Sequence, residues 1–315
     1  MDEPRPEKYL HMKGGNTLQA KMTRSDAGRV QPERIYKSPA YRVLQFTVLI
    51  VGTILILYPL AWMVSCSLKT PQAISGNMYS ILIPLDQIDF IGNYSYAWVK
   101  AGFGATFMNS VKITFSSLFF MVILAYLTSY TLSRMEFFGR NFLMTVFVTL
   151  MLVPLGQVVM IPQYRLIRQM GLSDNIWACV ILYVNGGIPF SVFLLTSFIS
   201  RIPMTLDEAA HIDGAGRLRI IYQICLPLSL PGLATVIIFQ FMQIWNDYFT
   251  PLIYLISPQN RTITLGLTNF FKAYAKVDYN YLFAALCIAS LPVIVMYLLF
   301  QNLFIGGITA GAVKE

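Results

Sequence analysis

The sequence predicts an all-α membrane protein with six transmembrane helices. Its 315 residues are 56% apolar and only 12% charged, and the mean hydropathy is +0.59. A soluble domain of ordinary composition would carry about 25% charged residues. Six apolar stretches are long enough to cross a bilayer. They show no period-two alternation, so helices are expected to satisfy their backbone groups in lipid. The stretches cover residues 43–67, 106–131, 141–161, 176–199, 229–253 and 281–305.

The polar N-terminal segment, residues 1–42, contains nine Lys or Arg residues against five acids. It is too long and too mixed in charge for the first part of a signal peptide. We expect a flexible cytoplasmic tail here, because few apolar residues are available to bury. The membrane domain is then predicted over residues 43–305, followed by a short cytoplasmic tail at 306–315.

The distribution of Lys and Arg predicts the orientation of the chain. With the N-terminus inside the cell, 15 of the 23 basic residues lie in the tails and inner loops and 7 in the outer loops. Cytoplasmic segments of membrane proteins collect basic residues. Both termini are therefore predicted to be cytoplasmic, in a multi-pass membrane protein surrounded by lipid.

Neither the cysteines nor the net charge indicates a second kind of site. The four cysteines are scattered through apolar stretches without a Cys-x-x-Cys or Cys/His spacing, which favours packing over a metal centre or disulfides. The net charge of +8 is explained by the inner loops, and no nucleic-acid-binding motif accompanies it. We therefore predict no bound metal and no nucleic-acid partner.

A polar segment, residues 200–227, separates the fourth and fifth apolar stretches. Thr205 and Glu208 have the spacing of a capping box, which predicts the start of a short helix. Gly214 is placed to end that helix in a left-handed conformation. A second helix should follow and stop at Pro227, since proline interrupts a helix interior. These local signals alone are also compatible with an ordinary connector between two spans.

The same segment contains a longer pattern. Glu208-Ala-Ala is followed after three residues by Gly214, and after nine more by Ile224-Cys-Leu-Pro227. This spacing resembles the EAA loop of binding-protein-dependent ABC importers. The resemblance implies that a coupling helix between spans four and five docks onto a cytoplasmic ATPase. The implied docking residues are Leu206, Asp207, Glu208, Ala209, Ala210, Asp213, Gly214, Ile224, Leu226 and Pro227.

Weaker motifs extend the resemblance from about residue 43 to the C-terminus. Ser67-Leu-Lys-Thr-Pro71, Ile161-Pro-Gln-Tyr164 and Trp245-Asn-Asp-Tyr248 occur in the order found in carbohydrate importers, specifically the second permease of maltose- and glycerol-phosphate-type systems. Such a permease assembles with a homologous second permease, a dimer of ATP-binding subunits and an extracytoplasmic solute-binding protein. The chain has no Gly-Lys-Ser/Thr phosphate loop. We therefore expect no enzyme activity and no bound cofactor, with ATP and Mg²⁺ held by the partner ATPase.

A polar stripe on the fifth apolar stretch is the candidate substrate pathway. Gln240, Gln243, Asn246 and Asp247 recur at roughly helical spacing. Buried polar groups in a membrane usually face a partner helix or a wet cavity. The stripe could line the pathway, or it could form hydrogen bonds between the two permeases. Asn185, beside two glycines, is a further candidate for the pathway.

Three alternatives stay open at this point. Glu208 and His211 form a Glu-x-x-His pair, but a carboxylate-bridged metal site needs a second such pair and two further carboxylates. An ion-coupled secondary transporter normally contains membrane-embedded acids, and Asp247 is the single acid within the six predicted spans. An importer permease could also carry a solute other than a sugar.

Overall fold

The computed structural model describes residues 39–152, 159–271 and 278–312, and this part of the chain is helical without any β-strand. Its helices are α1 (Pro39–Leu68), α2 (Pro71–Gly76), α3 (Phe90–Ser95), α4 (Phe103–Arg134), α5 (Arg140–Leu152), α6 (Met160–Gln169), α7 (Ile176–Ile199), α8 (Met204–Ile212), α9 (Arg217–Ile220), α10 (Leu226–Leu228), α11 (Leu230–Asn246), α12 (Phe249–Tyr254), α13 (Ile263–Gly266) and α14 (Tyr279–Ala312). The predicted all-α class is confirmed. Most of the predicted N-terminal tail, residues 1–42, lies outside the described residues, whereas α14 continues into the predicted C-terminal tail at 306–315 as far as Ala312.

Four of the described helices, namely α1, α4, α7 and α14, are long and apolar enough to cross a membrane. A fifth span results if the bent pair Arg217–Leu228 and Leu230–Asn246 is counted as one. The third predicted span begins as the 13-residue helix α5, and residues 153–158 beyond it lie outside the described part. The predicted span over 176–199 coincides with α7.

The fifth predicted span is wrong at its outer end. α11 stops at Asn246 instead of continuing to residue 253, because Asp247 adopts an extended backbone with φ −70° and ψ 133°. The Asp247 carboxylate then accepts a hydrogen bond from the Phe249 amide at 3.0 Å, where α12 begins. A side chain that satisfies a free helix N–H favours a new helix start over a continuous helix.

Helices α4 and α7 pack along each other through small polar side chains. The Ser129 hydroxyl donates to the Val192 carbonyl at 3.1 Å, and the Ser133 hydroxyl donates to the Thr196 carbonyl at 3.3 Å. Small residues allow transmembrane helices to approach closely, and interhelical hydrogen bonds add to the contact. These contacts therefore hold α4 and α7 closely together along their length.

Helix α11 is fixed against both α7 and α14. Gly232 lies against Phe198 of α7, where any side chain would meet the aromatic ring. At the other end of α11, the Trp245 indole N–H donates to the Ala289 carbonyl at 3.0 Å, and its ring stacks on Phe241. These contacts hold α11 beside α4, α7 and α14 along its length.

The loop between α1 and α4 is ordered by two buried polar side chains. The Lys69 ammonium, 2% exposed, donates to the carbonyls of Asn77, Met78 and Ser80 at 2.6–3.1 Å. The Asn93 amide donates to the Ser67 and Lys69 carbonyls at 2.9 and 2.8 Å. Three donors with three carbonyl acceptors satisfy a buried ammonium without an acidic partner. These buried polar side chains therefore hold the loop against the end of α1.

A second loop contact joins the turn before α7 to the segment after α12. Asp174 has a left-handed φ of +56°, and its carboxylate accepts from the amides of Ile256 and Ser257 at 2.8 and 2.9 Å. Hydrogen bonding by the Ser257 hydroxyl, with help from the backbone amides, lowers the pKa of the Asp174 carboxyl. The Asn260 side chain donates to the Asp174 carbonyl at 2.6 Å. The ends of α7 and α12 are therefore joined through a single aspartate.

Candidate functional site: coupling segment and polar cavity

The coupling segment, residues 200–227, begins with helix α8, whose start differs from the predicted one. The capping box is wrong, because α8 begins at Met204 directly after Pro203 and no side chain caps it. Thr205 consequently lies inside the helix. Pro203 has φ −57° and ψ 133°, an extended conformation, and the helix starts two residues earlier than the Thr/Glu pattern indicates, at Met204 instead of Leu206.

The predicted glycine end of α8 is confirmed. Gly214 has φ +79°, its amide donates to the His211 carbonyl at 3.0 Å, and the Ala215 amide donates to the Ala210 carbonyl at 2.9 Å. This pair of bonds is the Schellman arrangement, which needs a residue that tolerates left-handed backbone. Gly214 therefore fixes where α8 ends and where the chain turns back.

The rest of the segment is one helical stretch, Arg217–Leu228, which is called the arm below, and Pro227 does not end it. α9 continues into a π-helical turn over Ile221–Cys225 and then into α10, which ends at Leu228. Pro227 lies in the first turn of α10, where its missing N–H is harmless. The arm and α11 meet at 76°.

The ten predicted docking residues divide into an exposed set and an inward set. Ala210, Ile224 and Leu226 pack against a buried cluster that includes Tyr126, Tyr130 and Leu195. The exposed members are Leu206, Glu208, Ala209, Asp213, Gly214 and Pro227. Ile212, Leu218 and Tyr222 add exposed apolar surface beside them. Glu208 makes no ion pair or side-chain hydrogen bond within the described part of the chain.

Asp207 differs from its neighbour Glu208, because it faces the body of the protein. Its carboxylate lies 3.1 Å from the Arg134 Nε at the end of α4, and the two side chains are 14% and 5% exposed. The Cys225 thiol lies 3.6 Å from the other carboxylate oxygen. The sequence places Asp207 in the docking set but gives no signal for its contact with Arg134, which is distant along the chain.

A cavity of about 720 Å³ lies between α6, α7, α11 and α12. Four of the five predicted pathway residues line it, namely Gln240, Gln243, Asn246 and Asp247. The fifth, Asn185, is exposed on α7 and is not among the lining residues. Side chains that the sequence reasoning missed complete the wall: Met160, Gln163, Tyr183, Phe249 and Tyr254.

The polar groups of the cavity are engaged to different degrees. Gln240 is buried, and its amide donates to the Gly187 carbonyl of α7 at 3.4 Å, so it joins two helices of the same chain. Asp247 accepts from the Tyr183 hydroxyl at 2.9 Å. The Gln243 side chain is exposed to the cavity and forms no hydrogen bond among the described residues. A free amide beside aromatic side chains suits a hydroxyl-rich ligand.

Long apolar helices, a capped helix between two of them and a polar cavity at the helix interface define a membrane-embedded transport subunit. Comparison with protein families agrees. Residues 121–309 match the model of the binding-protein-dependent transport system inner membrane component. The chain belongs to this family, and it is therefore a multi-pass protein of the inner membrane.

Several relatives resemble the chain over most of its length. The probable ABC transporter permease protein YurM of Bacillus subtilis is 34% identical over 83% of this chain and 85% of its own. The diacetylchitobiose uptake system permease protein NgcG of Streptomyces coelicolor is 30% identical over 87% and 89%. The maltodextrin transport system permease protein MdxG of Bacillus subtilis is 31% identical over 87% and 96%.

The fold also matches a solved structure, that of a bacterial ABC transporter involved in the import of the acidic polysaccharide alginate. The TM-score is 0.74 with 23% sequence identity, and the match covers 84% of this chain and 98% of the other. At this identity the likeness concerns the fold. The family assignment leaves the ion-coupled transporter alternative without support.

Proposed function

We propose that the chain is the membrane-spanning permease subunit of an ABC importer for a carbohydrate. The observation that carries the proposal is α8, a short helix ended by Gly214 that presents Glu208, exposed and without an ion pair among the described residues, beside exposed apolar residues. An exposed apolar patch with a charged rim is typical of an interaction surface. Relatives named for diacetylchitobiose and maltodextrin support a sugar as the solute. A solute of another kind is the second candidate, since a relative is named for osmoprotective compounds.

The proposed assembly contains a homologous second permease, two ATP-binding subunits and an extracytoplasmic solute-binding protein. A related alginate transporter has been solved with its periplasmic protein, which supports the last of these partners. ATP and Mg²⁺ belong to the ATPase dimer, and this chain acts by binding and moving. Closure of that dimer would displace α8, and the spans would switch between inward-open and outward-open arrangements as rigid bodies.

The proposed topology has six spans with both termini in the cytoplasm. α5 belongs to the third span, and α11 with the break at Asp247 forms the fifth. The basic residues at the inner ends of the helices, Arg134 and Arg140 among them, support this orientation. It places α8 on the cytoplasmic side, where an ATPase can reach it.

Cysteine labelling tests the topology directly. We expect His211→Cys to react with a membrane-impermeant maleimide only from the cytoplasmic side, and Ser95→Cys only from the outside. Both positions are exposed, whereas all four native cysteines are buried, so the background should be low. The wild-type chain is the control. Labelling of both sites from one side would contradict the proposed topology.

We expect Gln243→Ala to raise the apparent KM for the sugar about fivefold while the complex assembles in normal yield. Losing one hydrogen bond from a neutral donor costs about 1 kcal/mol, which corresponds to that factor. Uptake kinetics and complex yield should be measured on one preparation. Phe239→Leu, on the same helix and outside the cavity lining, is the matched control.

The opposite outcome has a clear meaning. A lower yield of the two-permease complex with an unchanged KM would show that Gln243 joins the two permeases rather than lining the pathway. In that case the assignment of Gln243 to the substrate pathway would be wrong, while the docking role of α8 would be unaffected.

A further inference from the structure

Three contacts of Arg134 join the end of α4 to the coupling segment. The Arg134 guanidinium pairs with Asp207 at 3.1 Å, donates through Nη2 to the Ile202 carbonyl at 2.9 Å, and lies with Nη1 2.9 Å from the Met204 sulfur. These three groups lie just before α8 and along its first turn. A planar guanidinium can hold several acceptors in one fixed geometry. Arg134 therefore fixes both the position and the direction of the beginning of α8.

The contacts continue on both sides of this ion pair. On one side, α4 is bonded to α7 through Ser133 and the Thr196 carbonyl. On the other side, the second carboxylate oxygen of Asp207 accepts a hydrogen bond from the Cys225 thiol in the arm. The ion pair between Arg134 and Asp207 thus lies between α4 and the two helical parts of the coupling segment, α8 and the arm.

An ion pair of this kind is a poor source of stability. Removing two charges from water costs several kcal/mol per ion, and an apolar pair of similar volume often serves as well or better. The contact of Arg134 Nε with Asp207 is an ion pair without a hydrogen bond, and the bond from Nη2 to the Ile202 carbonyl adds a directional restraint on the beginning of α8. A role in holding α8 rigidly to α4 explains the arrangement better than a role in stability.

The direction of the side chains separates this contact from docking. Asp207 and Arg134 are nearly buried, whereas Glu208 is exposed on the side of α8 that a partner can reach. The two neighbouring acids of α8 therefore have different tasks. Glu208 is placed for the partner protein, and Asp207 is placed for α4.

We propose that the ion pair between Arg134 and Asp207 transmits the movement of α8 to the spanning helix α4, so that Arg134 is a positioning residue for coupling ATP hydrolysis to transport. This proposal rests on the proposed function, because it needs an ATPase that moves α8. Without the ion pair, α8 can follow the ATPase while α4 stays behind. The structure thereby assigns a coupling role to Asp207 that differs from direct docking.

The test is the number of substrate molecules transported per ATP hydrolysed, measured on the complete transporter in liposomes. We expect Arg134→Gln to lower this ratio at least tenfold, while the ATPase still co-purifies in normal amounts and still hydrolyses ATP. Asp207→Asn, which keeps the volume of the side chain, should lower the transport ratio to a similar extent. Arg140→Gln, at the start of the neighbouring helix α5, is the matched control and should keep the wild-type ratio, because Arg140 forms no ion pair or side-chain hydrogen bond with α8 among the described residues.

A second variant separates transmission from simple folding. Arg134→Lys keeps a charge within reach of Asp207 and should recover at least half of the wild-type ratio. A wild-type ratio for Arg134→Gln would overturn the proposal. So would loss of the ATPase from the Arg134→Gln complex, because the pair would then shape the docking surface itself. Failure of the proposed function is seen independently, since Glu208→Lys would then transport normally whatever Arg134→Gln does.

Discussion

Glu208→Lys is expected to abolish uptake and the stimulation of ATP hydrolysis, while the protein remains in the membrane at normal levels. The reason is that Glu208 is the exposed, unpaired acid of α8, and docking brings it against a basic group of the ATPase in our proposal. Reversing a charge at an interface places like charges together, which costs several kcal/mol. Uptake of labelled sugar and ATPase activity in inverted vesicles measure the effect.

The matched control for this variant is Glu136→Lys. Glu136 is also exposed and lies in the short loop between α4 and α5, outside the coupling segment. The same change of charge there should leave uptake near the wild-type value. Normal transport by Glu208→Lys at normal expression would remove the docking role of α8.

Gly232→Val should strongly reduce the amount of folded protein. A Cβ at Gly232 would lie against Cγ of Phe198, 2.7 Å from its Cδ2 and 2.9 Å from its Cβ. These atoms belong to the ring and its attachment, so they cannot move away as the end of a flexible chain could. Overpacking of this kind costs about 1–3 kcal/mol, occasionally more. Gel filtration and the melting temperature of the detergent-solubilised protein report the loss.

Gly186→Val is the control for this steric argument. Gly186 also lies within a spanning helix, but nothing approaches the position of its Cβ within 4 Å. Its folded yield should stay close to that of the wild type. Equal losses for both variants would show that valine in these helices, and not the contact with Phe198, causes the defect.

Local patterns predicted the elements that depend on local physics. The span over 176–199 follows from an uninterrupted apolar stretch, and the left-handed end of α8 follows from Gly214. The prediction failed where neighbours in space decide. α11 ends early because Asp247 bonds to Tyr183 and to the Phe249 amide, and the carbonyl of Asp247 accepts from Thr264. None of these partners is indicated by hydropathy.

The candidate site was predicted to a similar extent. The docking role that the EAA spacing assigns to α8 stays a prediction, and the polar stripe identified four residues of the cavity wall. The different surroundings of Asp207 and Glu208 could not be predicted, because both are acids in the first turns of the same helix. They depend on Arg134, whose position beside α8 results from the packing of α4 on α7.

The bend of 76° between the arm and α11 has a mechanical consequence. At 1.5 Å per residue, the 17 residues of α11 make a lever about 25 Å long. A rotation of about 10° around the bend would sweep the far end of that lever, at Asn246, through about 4 Å. This displacement of the Asn246 end exceeds the diameter of a water molecule. A rotation about this bend would therefore change the width of the cavity between α6, α7, α11 and α12 while α11 itself stays intact.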